Sequence, residues 1–193
     1  MARTESTMLE LGTPAPDFQL PDVRSGETVT LASFAGKKAL LVMFLSRHCP
    51  YVQHVKHGIA AIAKDYAEYP IGIVAISSNY VPEYPADAPE MLDEMAEELG
   101  FDFPFCYDET QEVAKAYHAA CTPDFFLFDE RRGLVYRGQM DGSRKSNDIP
   151  VTGADLRAAI DAVLRGQPVS QEQRPSLGCN IKWRPGNEPA YYR

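Results

Sequence analysis

Residues 39–45, Ala39-Leu40-Leu41-Val42-Met43-Phe44-Leu45, form an unbroken apolar run too short to be a helix of its own. Preceded by the turn signal Gly36-Lys37-Lys38, such a run reads as a strand buried on both faces. A strand of that kind needs other elements packed above and below it. The residues that follow supply one, because Val52, Val55, Ile59, Ile62 and Ala63 recur on one face of a helix reaching to about Tyr69. Cys49 stands where the strand gives way to that helix, with Pro50 placed for the first helical turn. Unpaired N–H groups and the positive end of the helix dipole stabilise a thiolate at such a point. His48 and Arg47 beside it are expected to add to that effect. A thiol in this position is suited to nucleophilic chemistry rather than to passive packing.

The remaining pattern extends the layering. Residues 71–77 form a second buried strand, and residues 89–99 form an acidic surface helix stopped by Gly100. A short strand at 103–107 precedes a helix at 109–118. The run Phe125-Phe126-Leu127-Phe128, the turn Arg131-Arg132-Gly133 and the strand 134–138 read as a hairpin. A last amphipathic helix starts near Thr152 and ends at Gly166. Near the start, residues 14–21 and 28–31 suggest an N-terminal β-hairpin. Strands alternating with helices imply an α/β fold, and the closing hairpin makes its sheet mixed. Three segments are expected: a loose arm at 1–13, one domain at 14–166, and a C-terminal tail at 167–193 packed on the domain through Ile181, Trp183 and Tyr191.

Composition narrows the function classes. The net charge of −8 argues against nucleic acid or an anionic membrane as partner, since both need a basic surface. No apolar run approaches the ~20 residues that span a bilayer, so no membrane partner is expected. The first residues, Met1 to Thr7, lack the apolar core of a secretory signal, and the expected location is cytoplasmic. The four cysteines, Cys49, Cys106, Cys121 and Cys179, are too sparse for a disulfide scaffold and match no zinc-finger spacing. Cys106, flanked by aromatics, reads as core. One alternative joins Cys49 and Cys121 to the i, i+3 pair His54 and His57 as a metal site. No metal and no cofactor is the leading expectation.

Several stretches together carry a resemblance. They are His48-Cys49-Pro50-Tyr51-Val52, Cys121-Thr122-Pro123-Asp124-Phe125, Val135-Tyr136-Arg137-Gly138-Gln139 and Ser176-Leu177-Gly178-Cys179-Asn180-Ile181-Lys182-Trp183. With the opening Pro14-Ala15-Pro16-Asp17-Phe18, they resemble a peroxiredoxin-like subgroup of the thioredoxin-like superfamily, of the alkyl-hydroperoxide-reductase and thiol-specific-antioxidant type. The resemblance spans Pro14 to Trp183. It implies a thioredoxin-like fold, with a central mixed sheet flanked by helices and Pro123 in a cis peptide beside the reactive cysteine.

The resemblance also implies a function: a thiol-dependent oxidoreductase in which Cys49 attacks a disulfide, a peroxide or a sulfenate and an external thiol restores it. Its partners would be a thiol or disulfide protein or a small oxidant, and its role antioxidant or in redox homeostasis. Val52 stands where a thioredoxin has its second cysteine, so another thiol must resolve Cys49. Cys121, two residues before Pro123, is the first expectation. Cys179 is the second, brought in by movement of the tail. Ser46 occupies the place of the peroxiredoxin threonine and is expected to donate to a peroxide, while Thr122 and Pro123 shape a groove for extended peptides. The competing reading is a non-catalytic binding module that kept the fold and lost the chemistry.

Overall fold

The computed structural model describes residues 3–192. In chain order the strands are β1 (Arg3–Glu5), β2 (Gln19–Pro21), β3 (Thr28–Thr30), β4 (Ala39–Phe44), β5 (Ile71–Ser77), β6 (Phe105–Tyr107), β7 (Cys121–Thr122), β8 (Asp124–Phe128), β9 (Leu134–Gly138) and β10 (Leu177–Asn180). The helices are α1 (Pro50–Asp65), α2 (Pro89–Leu99), α3 (Glu112–Ala116) and α4 (Ala154–Leu164). The main sheet runs β6-β5-β4-β8-β9. Strands β4, β5 and β6 are parallel, whereas β8 runs antiparallel to β4 and β9 antiparallel to β8, so the sheet is mixed as expected. Strands β2 and β3 form the N-terminal hairpin. Among the described residues no helix is long and apolar enough to cross a membrane.

The buried central strand sorts its side chains by pleat. Leu41 and Met43 face a core built with α1, α2 and α4, through residues such as Val52, Ile59, Leu92 and Ile160. Leu40, Val42 and Phe44 face a second core, with Tyr117, Phe126, Ile181 and Trp183. Each fully buried leucine or phenylalanine in these layers stabilises by ~1.5–3 kcal/mol relative to exposure. Between β8 and β9 an ion pair is buried as well: Arg137 meets Asp124 at 3.0 Å, and its guanidinium lies 4.3 Å from the Phe126 ring centre. Arg137 also donates to the carbonyl of His118 at 2.9 Å, which ties the hairpin to the approach to β7.

One segment differs from its sequence expectation, and the packed tail adds a strand of its own. The arm at 1–13, of which residues 1–2 lie outside the described residues, is not loose where it is described, because β1 pairs antiparallel with β10. The tail at 167–193, of which residue 193 lies outside the described residues, contains that strand, and β10 pairs on its other edge with β7. These strands are two to four residues long, too short to show a period of two, and their partners lie far away in the chain. The helix expected over 109–118 also shortens to α3. Its start is moved inward because Asp108 accepts the amide of Ala114 at 2.9 Å, doing the work of a cap, while Gln111 takes a left-handed conformation.

The second, small sheet is packed unusually close. A Cβ at Gly178 would lie 1.9 Å from the carbonyl oxygen of Thr122 and 3.1 Å from the nitrogen of Pro123. The obstacle is backbone, which cannot swing aside as a flexible side chain can. Gly178→Ala is therefore expected to lower stability by at least ~1–3 kcal/mol, the range for overpacking. Chemical denaturation of variant and wild type measures it, and an unchanged midpoint would contradict the close approach.

Candidate active site

Strand β4, helix α1 and strands β7 and β10 converge on Cys49. The residue has extended backbone and caps α1, with Pro50 at the first helical position, so its sulfur sits at the helix N-terminus. Its thiol donates to the carbonyl of Thr122 at 3.1 Å. The Thr122–Pro123 peptide is cis. Cys49 is 0% exposed, in a core that also contains Val52 and Cys179.

Cys179 shares the buried core around Cys49 and lies close enough for the two thiols to influence one another, with the Tyr51 amide nearby. Cys179 reaches this place because β10 pairs Cys179 with Thr122. Cys121 lies one residue earlier on β7, and its sulfur is directed at the carbonyl of Pro123 (3.6 Å) and that of Ser176 (4.0 Å). It remains within electrostatic range of both other sulfurs. Of the two, Cys179 is the one that shares a core with Cys49. No movement of the tail brings Cys179 in, because it is already a sheet residue. Alternate residues of a strand face opposite sides, and the register of β7 turns Thr122, not Cys121, toward the Cys49 side.

Electrostatics separate the cysteines. Burial, then the neighbouring Cys49, push the Cys179 thiol up to about 12, against the pull of Lys182. Burial, with Asp124 adding, pushes Cys121 well above the usual thiol range. Cys106 lies in the core on the other side of the sheet, and burial raises it to about 12.

A second group of side chains forms around Asp87, in a single 3-10 turn at Pro85–Asp87. Its carboxylate accepts from Ser46 Oγ (2.9 Å), His48 Nδ1 (2.6 Å), Asn79 Nδ2 (2.7 Å) and the amide of Arg47 (2.6 Å). Burial alone would raise this carboxyl, but the donors His48, Asn79 and Ser46 outweigh it and hold it below the usual range. His48 stacks on Tyr84, with ring centres 5.4 Å apart, and its Nε2 is buried without a hydrogen-bond partner among the described residues. Asn79 in turn accepts the amide of Lys182 at 2.8 Å. The Lys182 ammonium donates to the carbonyl and side-chain oxygens of Asn180, both at 2.8 Å, and lies 5.7 Å from the Tyr84 ring centre. Burial pushes Lys182 down, while Cys179, Cys49 and Asp87 act in the opposite direction.

Three sequence expectations change here. The Ser46 hydroxyl is buried and committed to Asp87, so it is not free to donate to a peroxide. The Arg47 guanidinium turns to Glu94 of α2 at 3.3 Å, away from the thiol. The Cys/His metal alternative is not assembled: His54 bonds to Ser143 at 2.8 Å and His57 is exposed. Among the described residues no group of three or more His, Cys, Asp or Glu is arranged to hold a metal ion. Asp87 and Lys182 are the site residues that sequence reasoning missed. Lys182 carried a signal, as a lysine set between the apolar Ile181 and Trp183 next to a cysteine motif. Asp87, in a proline-rich loop, carried none.

Next to Pro50 and Pro123 lies a cavity of about 420 Å³, also bounded by Tyr51, His54, Ser143 and Leu177. Arg3, Arg144 and Lys145 bring positive charge to its walls, and Glu5 and Asp141 bring negative charge.

Known proteins place this arrangement. A profile of the Redoxin family matches residues 10–156. A crystal structure of an uncharacterized conserved protein from Geobacillus kaustophilus is 52% identical with a TM-score of 0.94, covering 96% of this chain and 98% of that one. Peroxidoxin BcpB from Mycobacterium tuberculosis shares the fold at 20% identity, with a TM-score of 0.60 over 82% of this chain and 98% of its own. A thiol-disulfide oxidoreductase, ResA, from Geobacillus kaustophilus is 25% identical over 138 residues, 66% of this chain and 68% of that protein.

Asp87→Asn tests the acceptor cluster. The folded carboxyl lies below its unfolded value of about 3.9, so its stabilisation is complete above that pH and is lost as the pH falls through the folded value. The variant is expected to be less stable than wild type at pH 7, by on the order of 3 kcal/mol. That gap is expected to close progressively below pH ~3.9. Denaturant titrations at pH 7 and pH 3 measure it, and a gap that widened in acid would contradict the assignment.

Proposed function

Given that the chain belongs to the Redoxin family, we propose that it is a thiol oxidoreductase that exchanges disulfides, with Cys49 as the nucleophile. The observation that carries this reading is the place of Cys49: at the N-terminus of α1, donating to Thr122 beside cis Pro123, with a second thiol, Cys179, in the same buried core. The sulfur stands at the helix end with the Lys182 ammonium nearby, and the thiolate is the reactive species in exchange. Asp87 holds His48 and the amide of Arg47, and so fixes the turn between β4 and α1 that aims the sulfur. His48, Asp87 and Lys182 are positioning and electrostatic groups. Thr122 and Pro123 form the wall opposite the nucleophile.

Disulfide exchange fits better than peroxide reduction. A peroxide needs a donor at its leaving oxygen, and the hydroxyl nearest in sequence, Ser46, is spent on Asp87. The ResA relative is by name a thiol-disulfide oxidoreductase. An external thiol would reduce the enzyme after each turnover.

The complete burial of Cys49 favours a second reading, a binding module without chemistry. Dithiothreitol-driven reduction of a protein or small-molecule disulfide decides between the two. Cys49→Ser is expected to fall to the uncatalysed rate. Cys106→Ala is expected to keep wild-type turnover, because that thiol lies across the sheet. Wild type no faster than Cys49→Ser would support the binding module instead.

A further inference from the structure

The edge of β7, where the nucleophile meets the cis-proline loop, is the place an extended peptide would add as a strand. In this chain that edge is taken. β10 pairs with it antiparallel, the amide of Ile181 donates to the carbonyl of Ala120 at 3.1 Å, and Ser176 Oγ donates to the carbonyl of Pro123 at 2.6 Å. Gly178 lies flush on Thr122, where any side chain would collide with backbone. On its outer edge β10 is held by β1, with Arg3 opposite Cys179. The strand is therefore clamped on both sides, and it presents Cys179 to Cys49 as a substrate cysteine would be presented.

We infer that β10 is an internal occupant of the substrate edge, and that its Cys179 resolves Cys49 by closing a Cys49–Cys179 disulfide. The inference rests on Cys49 being the nucleophile. It has a consequence for substrate class: with the edge filled, the enzyme takes small disulfides, which the cavity walled by Pro50 and Pro123 would admit, and not extended peptide chains that must pair with β7.

The chemistry balances in two exchange steps. The Cys49 thiolate attacks one sulfur of a disulfide RSSR, forming the bond Cys49–SR and releasing the first RS⁻. The Cys179 thiolate then attacks the Cys49 sulfur, closing the protein disulfide and expelling the second RS⁻. The two protein thiols give up two protons and two electrons, and RSSR becomes two RSH. An external dithiol reverses the protein oxidation by the same two steps. The order is built into the site. Cys179 keeps its proton partly because Cys49 stands against it as acceptor and charge, while Lys182 pulls the other way. Once Cys49 is bound in a mixed disulfide it carries no charge, and the hold on the Cys179 proton loosens just when its thiolate is needed.

Cys121 is turned to other partners. Its sulfur faces the carbonyls of Pro123 and Ser176.

The test uses the full reduced chain with 2-hydroxyethyl disulfide as probe, counting released 2-mercaptoethanol and mapping disulfides by mass spectrometry. Wild type is expected to release two equivalents per chain and to yield peptides joined through Cys49 and Cys179. Cys179→Ser is expected to stop at one equivalent, with the probe's adduct left on Cys49. Cys121→Ser is expected to behave as wild type. The inference is overturned if the adduct persists on Cys49 in wild type, or if wild type links Cys49 to Cys121. Because the wild-type map needs no substitution, a misfolded variant cannot rescue the idea. If none of the three proteins forms an adduct or a disulfide at Cys49, the nucleophile itself is misassigned, a failure distinct from those two. A linear peptide disulfide is expected to react more slowly than the small probe, and equal rates would overturn the substrate class.

Discussion

The close pairing of β10 with Cys121–Thr122 is the contact on which the rest of the site depends. It places Cys179 opposite Thr122, whose carbonyl accepts the thiol of Cys49, so three residues from distant parts of the chain meet at one point. It is possible only because residue 178 has no side chain, since a Cβ there would overlap the Thr122 carbonyl. From β10 the chain continues into Ile181 and Trp183, which fill the core on the opposite side of the main sheet from α1. One short strand thus closes the active-site edge and anchors the C-terminal segment.

The polar half of the site follows a different rule. Asp87 is buried, a cost that only ample hydrogen bonding offsets. Its donors come from Ser46, Arg47 and His48 in the turn between β4 and α1 and from Asn79 after β5. By meeting all of them, one carboxylate fixes the turn from which Cys49 projects. Asn79 passes the restraint on to the amide of Lys182, so the acidic centre and the cationic residue near the thiols belong to one network. The Arg137–Asp124 pair does similar work on the far side, holding the hairpin against the segment that leads into β7.

The arrangement separates two properties that a thiol enzyme needs. On the proposed reading, reactivity comes from the helix end at which Cys49 stands. Protection comes from coverage by β10. A thiol without a partner runs toward sulfinic acid under oxidants, and a resolving thiol in contact shortens that exposure. In thioredoxins the partner follows one helical turn later, where this chain has Val52. On the reading inferred above, the partner arrives from the C-terminal segment, and it occupies the edge on which peptides would pair.

How much could be read before the fold was known depended on distance along the chain. The apolar run 39–45, the helical face of α1 and the position of Cys49 between them are local, and periodicity reports local order directly. The hairpin of β8 and β9 was legible for the same reason. The cis Thr122–Pro123 bond was reached through the resemblance rather than through any local pattern. The partner thiol, the coverage of Cys49 and the acceptor role of Asp87 were not legible. Each rests on contacts between segments separated by tens to more than a hundred residues, made by strands too short to carry a period or by a loop with none. Sequence alone determined that a cysteine would stand at a helix N-terminus in an α/β core. Only the tertiary structure decided which thiol would face it and that β10 would cover it, because pairing register and burial are properties of segments brought together and not of any segment by itself.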